Sequence, residues 1–555
     1  MVLLPGGGKG GNFIQGEKRM KILKHAAAIA VVLMGVAACS DSDEYVQEAV
    51  TGPSPFHGIH GITVTKDGKI LAGSVVGRAI YEVDPKRGTA SIYEGPPVGM
   101  ADDLEEGPDG TLAWTAFLDG KVYARKPGGA LLTLADGLPG LNSLAWTEDG
   151  RLFATQVFLG DALYELDPSG ENPPRKIMAG MGGLNGFDFG PDGKLYGPLW
   201  FKKQIARVDV DTGTLEVVAE GFATPAAVNF NSKGELYVVD TEAGRVYRVD
   251  TATGEKTLVA EVAPAIDNLA FDNDDNLFIT NMADNAVIAV DTESGATTPI
   301  VSGPLAVVGD IAIDDNGDIY VADLFALRKV SPPDGSVSEL ARVWSSNIDY
   351  PLSISVSNGH IAVAALTAGA VQVFDAASGV SFQPHHGFTT PADAIVLANG
   401  SVVVSEYARG ALVRVAANDW DNRTDIATGL EGPSMLKLAG DGALYVSENA
   451  GGRISRVNVE TGERSVVADN LSAPEGFDIG SDGRFVVAEV GAKRIVAIDI
   501  KSGEREIIKE NLPIGFEAPE NVPPLYIPTG VVAASNGDIY YSSDIDVRIY
   551  RLRKN

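Results

Sequence analysis

Apolar and polar residues alternate along this chain in short runs. "GRVYRVD", "GRISRVNVE" and "KRIVAIDI" each place every second side chain on one face, which is the period of a half-buried β-strand and not of a helix. The runs come in sets: an apolar strand, a turn dipeptide, a strand ending in a small or acidic residue, another strand, and a Thr-Gly or Ser-Gly turn. The turn dipeptides stand at 67–68, 109–110, 149–150, 192–193, 233–234, 274–275, 316–317, 358–359, 399–400, 441–442, 482–483 and 536–537. They start 40 to 43 residues apart, except that the last gap, from 482 to 536, is 54 residues. That gap holds an insertion, "NLPIGFEAPENVPPLYIPTG".

Twelve units of about 42 residues, each a four-stranded meander, are the signature of β-propeller blades. Propellers usually close with about four to eight blades, so twelve units must split. The pattern predicts an all-β chain of two tandem six-bladed propellers, at 55–307 and 308–555, with a seven-plus-five division as the alternative.

Composition fits ordered globular domains: 45% hydrophobic, 21% charged, and 64 glycines for the many turns. At 555 residues the chain exceeds what one core usually serves. A net charge of −30 argues against nucleic acid as a partner, since each phosphate would meet a repelling field.

The single cysteine, Cys39, excludes an intramolecular disulfide. It follows Lys21, Lys24 and the apolar "AAAIAVVLMGVAAC", a run too short for a comfortable membrane span but suited to a signal-peptide core. Val36-Ala37-Ala38 before it resembles the bacterial lipobox, which implies diacylation of Cys39, and Ser40 implies no inner-membrane retention. Residues 1–39 are thus expected to be a lipoprotein signal, with either Met1 or Met20 as the start, and 40–54 a polar tether. The expected location is the cell envelope, anchored by lipid to the membrane, on the periplasmic or surface side of the outer membrane.

Strand-end acids Asp240, Glu448 and Glu489 are each followed five residues later by Arg245, Arg453 and Arg494, a spacing that predicts cross-strand ion pairs. Candidate chemistry lies elsewhere. The first strand of each blade lines the channel, so a fixed position in it forms a ring of residues. Seven residues before each turn, the first half reads His60, Asp102, Asn142, Asn185, Ala226 and Asp267. The second half reads Gly309, Pro351, Ala392, Ser434, Glu475 and Thr529, which looks close to inert. Two carboxylates and two amide oxygens form an all-oxygen set suited to a hard cation such as Ca²⁺, with Mg²⁺ or Zn²⁺ as alternatives. A channel filled with ordered water is the competing reading. His60 is a candidate acid or base.

At "LNGFDFGPDGKLYG", residues 184–197, the chain resembles the senescence marker protein and gluconolactonase family, whose blades open Asn-Gly and turn through Pro-Asp-Gly. The resemblance implies one divalent cation held by Asp102, Asn142, Asn185 and Asp267, with Asp267 as base. It departs in two places. The blade after Asn185 offers Ala226 where the family has its acid, and "EGPDG" at 106–110 falls in a turn. "HGITVTKDGKILAG", residues 60–73, also resembles virginiamycin B lyase blades.

The expected activity is therefore metal-dependent hydrolysis of a lactone or ester, with Asp267 or His60 taking the proton. The alternatives are a non-catalytic envelope scaffold that docks a protein partner, or a metal-dependent lyase on a cyclic ester.

Overall fold

Twelve four-stranded antiparallel sheets hold the strands of the computed structural model, which describes residues 44–381, 383–520 and 522–555. The expected signal segment and Cys39 lie outside the described residues. Among the described residues, helix is confined to two single turns, Trp200–Lys202 and Val490–Ala492. The turn pairs close the first hairpins, and the second residue of each has φ between 62° and 90°, Asp275 being the one non-glycine.

The innermost strands are arranged in two closed cycles. Ile62–Val64, Leu104–Glu106, Leu141–Trp146, Asp188–Phe189, Pro225–Phe230 and Ile266–Phe271 touch in chain order, and the last returns to the first. Ile311–Ile313, Ser353–Ser357, Pro391–Val396, Pro433–Leu438, Pro474–Ile479 and Val531–Ala533 do the same. We call these the first and second rings.

Residues 45–49, expected to belong to the tether, are instead a strand. Tyr45–Ala49 runs antiparallel to Arg548–Lys554 and supplies the outer strand of the final blade. The cause is an edge that would otherwise be open: Arg548–Lys554 would present unpaired backbone groups, and its charges match, since Glu48 pairs with Arg551 and with Arg553. The second ring thus joins the two ends of the described chain.

A recurring carboxylate fixes the entry to many inner strands. Asp240 accepts the N–H groups of Ala223 and Thr224 at 2.8 and 2.7 Å, Glu448 that of Glu431 at 2.8 Å, and Glu489 that of Ser472 at 2.8 Å. Two of the three expected ion pairs form, Glu448–Arg453 at 2.8 Å and Glu489–Arg494 at 2.6 Å. The third does not. Asp240 spends its oxygens on backbone, and Arg245, though opposite it in register, turns to Glu261 at 2.7 Å.

The rings meet through an apolar contact. Val76, Met282 and Ala283 of the first pack with Leu324, Phe325 and Leu525 of the second. Arg342 crosses it, pairing with Asp284 and donating to the Pro264 carbonyl at 2.9 Å. Where the chain passes between rings, buried Asn285 donates its amide to the carbonyls of Phe56 and Leu305, at 2.8 and 3.1 Å, tying both crossing segments together.

Candidate functional site

The inner strands of the first ring carry His60, Asp102, Asn142, Asn185, Ala226 and Asp267 to one end of the channel, where all six line a cavity of about 120 Å³. The sequence column is thus one surface in space. Gly186 lets the neighbouring blade close on Asn185: a Cβ there would stand 2.3 Å from the Ala227 Cβ, closer than any real contact.

Asn185 is 7% exposed. Its amide oxygen faces the Ser143 hydroxyl at 3.1 Å, and the same hydroxyl lies 2.9 Å from the Asn142 oxygen. The Asn142 amide donates to Asp102. One hydroxyl proton cannot serve two amide oxygens at once, so one oxygen is left without a donor.

Three polar residues of the cavity floor were missed by the column: Asp103, Ser143 and Asn268. Each sits one position after a column residue. The ladder slips between Leu141 and Leu144 and between Ile266 and Leu269, so consecutive residues there face the channel and strict alternation fails. The available signal was a pair of adjacent polar residues in an apolar strand, Asn142-Ser143 and Asp267-Asn268. Asp103 joins distant blades, accepting from Asn268 at 3.1 Å and from the Leu144 N–H at 3.2 Å.

Burial governs the charges. It raises the Asp102 carboxyl well above its ordinary value, with Asp267 and Asp103 adding to the effect, and it raises Asp267 with Asp103 adding. Asp103 is pushed up to about 7 by the same burial. Burial pulls His60 down to about 4, so its imidazole is neutral, with Nδ1 3.5 Å from the Val75 N–H. Among the described residues no group of three or more His, Cys, Asp or Glu is placed to hold a metal. The side-chain oxygens at the floor are those of three carboxylates, three amides and the Ser143 hydroxyl, a hard donor set.

The second ring is less inert than its column suggested. Ser353 Oγ stands 2.7 Å from Asp393 and 3.1 Å from Asp310, both buried, and Glu475 is buried as well. Again the position after the column supplies the acids. The Asp310 and Asp393 carboxyls are raised by burial, Asp310 also by the charge of Asp393. They are tied to the next blades, Asp310 accepting the Ile354 N–H at 3.2 Å and Asp393 the Leu436 N–H at 2.8 Å.

The roof of the first-ring cavity comes from the second ring: Phe325, Trp344, Tyr350, Leu352, Tyr526 and Ile527. Tyr526 and Ile527 belong to the insertion, whose Phe516 also packs on the buried His57, ring centroids 4.8 Å apart.

Residues 201–324 match the family model described as the SMP-30/Gluconolactonase/LRE-like region. The match takes in Asp267 and Asn268 but not His60, Asp102, Asn142 or Asn185. No curated protein sequence matches the chain. Among solved structures, the extracellular domain of the two component system protein BT4673 from B. thetaiotaomicron is 12% identical, with 91% of this chain and 82% of that one covered and a TM-score of 0.31. Virginiamycin B lyase from Staphylococcus aureus is 17% identical, over 59% of this chain and 94% of that one, with a TM-score of 0.25. What the comparisons give this all-β chain is a resemblance to the SMP-30/gluconolactonase family over residues 201–324, within a repeated-blade fold.

Proposed function

We propose that the chain is a divalent-cation-dependent hydrolase of small lactones or esters, exported and held at the cell envelope by a lipid on Cys39. The observation that carries the catalytic part is the convergence of Asp102, Asn142, Asn185 and Asp267 on one buried cavity with an oxygen-only donor set. Export and anchoring rest on the leader, "AAAIAVVLMGVAAC".

Asp102, Asn142, Asn185 and Asp267 would hold the ion, Ca²⁺ before Mg²⁺ or Zn²⁺. A bound ion supplies polarisation of the acyl oxygen and a lowered pKa for water. Its charge also answers the repulsion between two buried carboxylates, neither of which forms an ion pair among the described residues. Ser143, lying between the two amide oxygens, donates to one of them at a time and leaves the other free for the ion. Asp267 takes the proton of the attacking water, its burial having moved it toward the range where a carboxylate exchanges protons at neutral pH. His60, pulled down by burial, suits a hydrogen bond to the substrate better than a base role. The roof excludes water once the substrate is seated.

The test is metal content of the purified full chain by mass spectrometry, beside the double variant Asn185→Ala, Asp267→Ala. About one divalent ion per chain, absent from the variant, is expected. A wild-type chain without bound ion after dialysis against calcium would end this reading.

A further inference from the structure

The cavity has a polar floor and an aromatic roof, and the two come from different rings. We propose that the second ring selects the substrate, and that it selects a compact, apolar, ring-bearing lactone or ester with one acyl group over a polyhydroxylated sugar lactone. The chemistry of that substrate rests on the hydrolase reading above; the selectivity rests on the walls alone.

The polar side chains are collected at the floor, around Asp102, Asn142, Asn185 and Asp267. Above them the roof offers Phe325, Trp344, Leu352 and Ile527, with Tyr350, Thr367 and Tyr526 as its hydroxyl-bearing members, fewer groups than a sugar lactone's hydroxyls would need. Each hydroxyl buried without a partner is disfavoured, whereas a flat hydrocarbon ring loses nothing there. The roof aromatics hold one another edge to face: Trp344 and Tyr350 at 5.9 Å and 90°, Phe325 and Tyr350 at 6.3 Å and 74°. On the first-ring side Phe158 meets Trp200 at 5.5 Å and 78°.

Backbone conformation marks the same walls. Phe158, Leu324, Trp344 and Tyr350, all lining the cavity, have φ of 67°, 29°, 69° and 32°. Bulky residues are rarely left-handed, and such strain persists where the surroundings over-determine it, as they do around a shaped binding site. The roof hydroxyl that faces the floor is that of Tyr350, which is raised by burial and by the charge of Asp267.

The experiment uses the full chain with three probes: chroman, which has the fused rings but no acyl group; 3,4-dihydrocoumarin, its lactone; and glucono-1,5-lactone. Binding of chroman is followed by calorimetry and turnover of the lactones by base uptake above background. Chroman is expected to bind without competition from glucono-1,5-lactone. Trp344→Ala is expected to weaken it at least tenfold, with Trp344→Phe recovering most of the loss and both variants melting as cooperatively as wild type. Dihydrocoumarin is expected to be turned over at least a hundredfold faster, in kcat/KM, than the sugar lactone. Turnover of glucono-1,5-lactone with no chroman binding would overturn the selectivity and leave the hydrolase reading standing. Chroman binding lost in Trp344→Ala, with neither lactone turned over, would uphold the apolar selection and remove the hydrolase reading.

Discussion

The hydroxyl of Ser143 lies 3.1 Å from the amide oxygen of Asn185 on the next blade, so a side chain that binds nothing itself sets the aim of one that can. Ser143→Ala should leave the fold intact and lower cation affinity by about ten- to a hundredfold, the usual effect of losing such a support. Calorimetric titration with calcium measures it.

Cation binding should also appear as stability. A ligand at a hundred times its dissociation constant adds about 2.7 kcal/mol. Wild type should therefore melt at a lower temperature in chelator and recover in calcium, while Asn185→Ala should melt alike in both.

The Asp310–Asp393 pair makes stability depend on pH in a defined direction. Both carboxyls are raised in the fold, so folded chains keep protons that unfolded chains release. Their contribution is complete below about pH 4, the ordinary carboxylate range, and is lost as pH rises through the raised values. Asp310→Asn removes one such group. Relative to wild type it should gain stability between pH 4 and pH 8, read from urea midpoints at both.

Asn285 holds two crossing chain segments with one amide. Asn285→Leu leaves the Phe56 carbonyl buried without that donor, at a cost of about 1–3 kcal/mol for the group left unsatisfied, while the Leu305 carbonyl keeps the Ser54 hydroxyl at 2.8 Å. A lowered thermal midpoint with unchanged circular dichroism is the expected result.

Arg342, only 8% exposed, makes one ion pair across the ring contact, to Asp284, whose side chain is 34% exposed. Arg342→Ala should weaken the coupling between rings by about 1 kcal/mol, water taking over part of the solvation of Asp284. Scanning calorimetry should resolve two transitions in the variant where wild type shows one.

Much of this was legible in the sequence, for local reasons. A hairpin turn needs positive φ at a set place, so glycine reports it, and the spacing of those glycines gave the blades and with them the channel column. The exceptions share a cause. Ser143 and Asn268 enter the cavity because the ladder slips, and alternation carries no sign of a slip beyond two polar neighbours. Tyr350 and Tyr526 stand over Asn185 only because two rings face each other, and Tyr45–Ala49 is a strand only because its partner lies some five hundred residues away. Contacts of that range leave no local pattern.

The pairing of Tyr45–Ala49 with Arg548–Lys554 also imposes a timetable. Tyr45–Ala49 must wait for a partner some five hundred residues later, and at about 5–20 residues per second that delay is roughly 25 to 100 seconds. In its second half, once Thr297–Val301 has been made, the first ring has all its own strands while the second still lacks a blade. A ribosome that stalls late, or a protease that trims the final residues, therefore leaves one finished propeller beside one with an open seam.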